Sequence, residues 1–171
     1  SRCITLNMKT VKEEVIRDYL MKQYKIPDYQ ADVCAAFSQG NVGKAIQLAS
    51  SEDFGELKAS VLQLMKRLDE IDVYEMTAAV KQISEYKLVV NDYFDLMTIW
   101  FRDVLYMKAT NDVNGLIFKD EVYDIKKQAA KRSYQGIETI LQALETAKVR
   151  LNANVNFDLV IELLLLTIKE N

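Results

Sequence analysis

The sequence contains no histidine. That removes the side chain behind most zinc sites and most acid–base chemistry near neutral pH. Cysteine is nearly absent too. Cys3 and Cys34 are the only two, and no signal sequence precedes them. Free thiols in a reducing, cytoplasmic setting are expected rather than a disulfide framework. There is one proline, Pro27, and there are five glycines, so long segments run without a breaker. No apolar run reaches the roughly 20 residues that span a bilayer. The longest, near the C-terminus, is interrupted by Glu162. Net charge is −3, which gives the chain no basic surface of its own for gripping DNA phosphates. Motifs of the common catalytic sites are also missing: there is no GxxxxGK[ST], GxGxxG, CxxC or GxSxG. Finally, there is no initiator Met. The chain opens at Ser1-Arg2-Cys3, as expected of a piece of a longer protein.

What is present is hydrophobic residue in 3.6-residue register, half of the 171 positions being apolar. This predicts an all-α protein with a substantial core. Charge is uneven: residues 1–50 carry seven Lys/Arg against five Asp/Glu, and the remainder fifteen against twenty. That division fits a boundary near Ser50. Ahead of it, Thr10 with Glu13 has the spacing of a capping box. It opens a helix to about Gln23 with Val11, Val15, Tyr19 and Leu20 facing inward. Ile26 and Pro27 end it. A second helix is expected from Asp28 to Phe37, with Gly40 as its cap residue, and a short third from Val42 to Ala49.

Past the boundary, six helices are expected as an antiparallel bundle with short connections. Ser51 opens one to about Leu68. Asp72 and Glu75 form a second capping box, for a helix to about Tyr86. The most apolar one runs from Val90 to Lys108, with Tyr93, Met97, Trp100, Val104 and Met107 in a row. Trp100 reads as core rather than as a platform for a ligand. Residues 111–118 form a loop, and helices near 120–132 and 134–151 follow. Lys126, Lys127, Lys131 and Arg132 read as a solvated face rather than a nucleic-acid contact.

The last helix, capped by Asn156, is unusual. At about 100° per residue, Phe157, Val160, Ile161, Leu164 and Ile168 form one apolar face. Leu159, Leu163 and Leu166 form another, roughly opposite. A surface helix needs one such stripe. Either this helix is central in the bundle, or its second face is covered by another chain.

Three short pieces carry a resemblance. Ser1-Arg2-Cys3 stands at the start, Gly40-Asn41-Val42-Gly43-Lys44-Ala45-Ile46 opens the third helix, and Leu151-Asn-Ala-Asn-Val-Asn-Phe-Asp-Leu-Val-Ile-Glu-Leu-Leu-Leu165 ends the chain. Together with Trp100 to Lys108 they resemble the clamp-loader branch of the AAA+ ATPases, represented in bacterial DNA polymerase III. The likeness implies that residues 1–50 are the end of the ATPase core plus a three-helix lid, and that 51–171 are a collar through which subunits associate. It implies that Arg2 is an arginine finger supplied in trans to ATP on a neighbouring subunit; in this piece, without the core that would hold it, Arg2 is expected to be a frayed end residue. ATP-hydrolysing relatives carry an arginine in a G-x-x-R-x-A-[LI] sensor 2 stretch. Gly40 and Ala45 match it, but the arginine position is Gly43, and Lys44 lies one residue on. Gly43 is either the loss of that motif or a glycine needed for close packing. The departure argues against an ATP-hydrolysing gamma/tau-type subunit and for the delta-prime type. No cofactor, metal or active site of its own is then expected. The implied partners are the gamma/tau and delta subunits, with the sliding clamp and primed DNA reached through the whole assembly. Another AAA+ protein with a helical C-terminal domain, or an unrelated helical scaffold, remains open. Leu159, Leu163 and Leu166 are the expected interface residues.

Overall fold

The computed structural model describes residues 9–171, and among them the regular structure is helical throughout. Arg2 and Cys3 lie outside the described residues. The chain divides into two compact units, Ser1–Ser51 and Glu52–Asn171.

The first unit packs three helices, α1 (Glu13–Tyr24), α2 (Asp28–Phe37) and α3 (Val42–Ala49). Proline at the N-cap of α2 fixes the entry of the chain, and its carbonyl accepts from Ala31 N–H at 2.9 Å. Asn41 caps α3 by accepting from Lys44 N–H at 3.0 Å. Ala31, Val33, Cys34 and Phe37 of α2 are buried, as their spacing predicts.

The inward face of α1 differs from expectation. Ile16 and Leu20 are fully buried, whereas Val15 and Tyr19 are 56% and 41% exposed. The expected Thr10–Glu13 capping box does not form. The N-cap residue is Lys12, and it makes no side-chain cap. Thr10 is instead committed to the α2–α3 turn. Val11 N–H donates to the Gly40 carbonyl at 3.1 Å. A Cβ on Gly40 would lie 2.6 Å from Thr10 Cβ, at a φ of +86°. Glycine is required there on both counts.

In the second unit α4 (Glu52–Arg67), α5 (Val73–Ser84), α6 (Val90–Thr110), α7 (Val122–Lys131), α8 (Tyr134–Asn152) and α9 (Phe157–Glu170) form the bundle. Short 3-10 turns, Lys87–Val89 and Lys119–Glu121, lead into α6 and α7. The Asp72–Glu75 capping box is present, with both reciprocal bonds at 2.8 and 3.0 Å. Helix α6 is central, packed against α4, α7 and α8. Its Tyr93, Phe94, Met97, Trp100, Phe101 and Val104 are fully buried, as a helix apolar on most sides should be. Trp100 is core: its indole N–H donates to Gln128 at 3.0 Å. Among the described residues no helix is long and apolar enough to cross a membrane.

Candidate subunit interface

Helix α9 lies between α8 and α5. Its inner side supplies Val160, Ile161, Leu164, Leu165 and Ile168 to the core. Its outer side keeps Leu159, Leu163 and Leu166 at 61%, 46% and 39% exposure. Three leucines one turn apart therefore face outward on a helix whose opposite side is saturated by the bundle. Beside them runs a shallow hollow of about 250 Å3. The small residues Thr139, Ala143 and Ala147 of α8 border it on one side, and Val160, Leu163 and Thr167 of α9 on the other. A ridge of leucines next to a row of small side chains is the relief into which another helix packs.

Both ends of α9 are fixed. At the N-terminal end Asn156 accepts from Leu159 N–H at 3.0 Å, and Asp158 accepts from Ser84 Oγ at 3.3 Å. At the other end Arg132 donates through Nη1 to the Ile168 carbonyl at 2.7 Å. Its Nη2 donates to Asp69 Oδ1 at 2.6 Å. Lys169 donates to the Ile71 carbonyl. The basic group read as a solvated face is thus partly structural. Arg132 is buried under the Phe101 ring, Lys131 pairs with Asp69 at 3.2 Å and Lys127 with Glu70 at 2.6 Å. The contact with Glu70 holds the Lys127 ammonium pKa up and the Glu70 carboxyl pKa down. Periodicity could not reveal Arg132 as buried, because its partners, Asp69 and the end of α9, are distant in sequence.

Asp103 was also hidden from the sequence reading. It sits on α6 fully buried, with Oδ2 accepting from the Ile117 and Phe118 N–H groups at 2.9 and 2.8 Å. Oδ1 accepts from Arg102 at 2.7 Å. It pins the 111–118 loop to α6. The available signal was a carboxylate in helical register with Trp100 and Met107.

In the first unit, Gly43 stands at the start of α3. A Cβ on Gly43 would meet only Asn41 Oδ1, at an ordinary 3.5 Å, so packing does not demand glycine there. Lys44 is half-buried, with its Nζ 4.5 Å over the Phe37 ring. Among the described residues no group of His, Cys, Asp or Glu could hold a metal ion.

A family model described as DNA polymerase III, delta subunit, C terminal, matches residues 52–170, the whole of the six-helix bundle. The chain belongs to this family. Across 173 aligned residues it is also 28% identical to DNA polymerase III subunit delta' of Bacillus subtilis (strain 168). That alignment covers 99% of the chain and 52% of the relative, so the chain spans about half the length of the curated relative it matches. No solved structure gives a significant match. The relative's designation agrees with the delta-prime type favoured by the glycine at position 43. In a bundle of this family, the outward leucines of α9 are a feature that its own core leaves unexplained.

Proposed function

We propose that this chain is the lid and collar of a delta-prime-type clamp-loader subunit, and that it works by holding subunits together rather than by catalysis. Residues 1–51 would be the end of an AAA+ core with its three-helix lid, and 52–171 the collar. The observation that carries this is the outer face of α9 in a member of this polymerase III family. Fully burying an exposed leucine is worth roughly 1.5–3 kcal/mol, and Leu159, Leu163 and Leu166, 39–61% exposed, would each gain about half of that against a partner helix. Charged groups at that face would give register more than affinity. The partners are the gamma/tau and delta subunits, in a cytoplasmic assembly that closes a sliding clamp around primed DNA at the expense of ATP. Gly43, and a Lys44 engaged with the Phe37 ring, support a subunit that does not use its own nucleotide for this work. Arg2 would serve the neighbour's ATP as a trans finger.

The decisive experiment is assembly of the Leu159→Ser/Leu163→Ser/Leu166→Ser variant of the full-length protein with its partner subunits, followed by native mass spectrometry. Loss of the complex with an unchanged melting temperature is expected. An intact complex removes the interface role of α9. The finger role is tested separately: Arg2→Ala in the assembled loader should lower DNA-stimulated ATPase, and an unchanged rate rules it out.

A further inference from the structure

We propose that Arg132 is a positioning residue for the docking face of α9, holding that helix in one setting before any partner arrives. This rests on the interface reading of α9 given above. The last four carbonyls of a helix have no partner within it, and Arg132 takes one of them, Ile168 O, at 2.7 Å. The same guanidinium is held at 2.6 Å by Asp69, in the turn after α4. Lys169 reaches back from α9 to the next part of that turn, the Ile71 carbonyl. The end of α9 is therefore tied twice to residues 69–71, and Leu166 lies only two residues before the tied carbonyl.

Burial makes a purely stabilising role a poor explanation. The Arg132 side chain is 1% exposed, and its Nε has no hydrogen-bond partner. A buried ion pair with an unsatisfied donor is often matched or exceeded in stability by apolar packing, and in some proteins such a pair serves to select one arrangement. The planar fork can hold a carboxylate and a carbonyl simultaneously, which a lysine ammonium on a flexible stem does poorly. Fixing the ledge of leucines in advance lowers the ordering cost of docking.

The test uses Arg132→Lys, which keeps the charge beside Asp69 but gives up the fork, and Lys169→Met, which removes the second tie. A core variant remote from α9, Val61→Ala, serves as a control for lost stability; Val61 is fully buried in α4. Amide exchange in residues 165–169 should quicken at least about tenfold in the Arg132 and Lys169 variants, and not in the control. Assembly of the full-length protein with its partner subunits should weaken roughly tenfold for Arg132→Lys, and much less for Val61→Ala at a comparable fall in melting temperature. If both variants weaken assembly equally, or Arg132→Lys leaves it unchanged while exchange quickens, the positioning role is overturned. If the three-leucine variant leaves assembly intact, the interface reading fails instead, and the exchange measurement still reports whether Arg132 sets the helix end.

Discussion

Gln128 joins Trp100 to the end of α4: it accepts from the indole N–H at 3.0 Å and donates to the Met65 carbonyl at 2.8 Å. Met65 O is one of the carbonyls that α4 leaves without an internal partner. One buried amide thus satisfies two groups on two different helices. Gln128→Leu strands both. At about 1–3 kcal/mol for each unsatisfied buried group, it should cost roughly 2–6 kcal/mol, read by chemical denaturation. Trp100→Phe removes only one bond but also some volume. Combined, the two losses should fall short of their sum by about 1 kcal/mol or more, since the double variant leaves neither the indole donor nor the amide acceptor unpaired. Strict additivity would mean that the bond contributes nothing.

Asp103 makes a prediction about acid. Burial raises its carboxyl pKa, against the opposing pull of the Phe118 and Ile117 N–H groups and Arg102. A folded-state pKa above the unfolded value means that this group's contribution is full below the unfolded value and is lost as pH rises through the folded one. Carboxylates such as Glu70 and Asp112, whose pKa values are lowered, act with the opposite sign. The difference between wild type and Asp103→Asn isolates the buried group. As pH falls from 7 toward 4, wild type should gain stability relative to the variant. A constant difference, or a wild type that loses stability relative to the variant as pH falls, would show that hydrogen bonds offset or outweigh burial at this carboxylate. Asp103→Ala, which leaves the Ile117 and Phe118 N–H groups facing an empty site, should cost about 2 kcal/mol or more at any of these pH values.

The residues whose setting the sequence does not reveal share one physical trait. Their environment is set across the fold, not along the chain. Helices α2 and α3 are bounded by local chemistry, Pro27 ahead of one and Asn41 ahead of the other, and their limits were legible. The cap at Asn156 and the outward leucines of α9 follow from local spacing too. On α1, Val15 with Tyr19 and Ile16 with Leu20 are equally good four-residue stripes. Only the packing against α2 and α3 decides in favour of the second. Arg132 and Asp103 are polar residues buried by partners 63 and 15 positions away, beyond the reach of any periodicity.

Tyr93 supplies an alkaline counterpart to Asp103. Its phenol is pushed up to about 12 by burial, with the bond to the Ser60 hydroxyl working the other way. The raised value means that its contribution is complete below pH 10 and is lost as pH climbs through 12. Ultraviolet titration of the native protein should show a tyrosine ionising well after the exposed ones. Tyr93→Phe should delete that late step, flatten the stability curve between pH 10 and 12, and change stability at pH 7 by no more than about 1 kcal/mol. A late step that survives in Tyr93→Phe would assign it to another tyrosine.

Two glycines at the starts of helices should respond to alanine with opposite signs. At Gly55, in α4, an added Cβ meets nothing within 4 Å. Alanine there lowers the entropy of the unfolded chain and favours the helix, so Gly55→Ala should stabilise by about 0.5–1 kcal/mol. At Gly136, in α8, the same methyl group would lie 2.7 Å from the Asn171 carbonyl oxygen and 3.2 Å from Ser133 Oγ. The nearest obstacle is backbone, so it cannot simply rotate away, and Ser133 is already fixed as the α8 cap by the Gly136 N–H at 2.9 Å. Overpacking typically costs about 1–3 kcal/mol, which outweighs the helix preference, and Gly136→Ala should lower the melting temperature by several degrees. The strain would fall on the last turn of α9, next to Leu166. Comparable stabilisation by both substitutions would mean that the end of α9 does not approach α8 this closely, and would loosen the case for a fixed outer face as well.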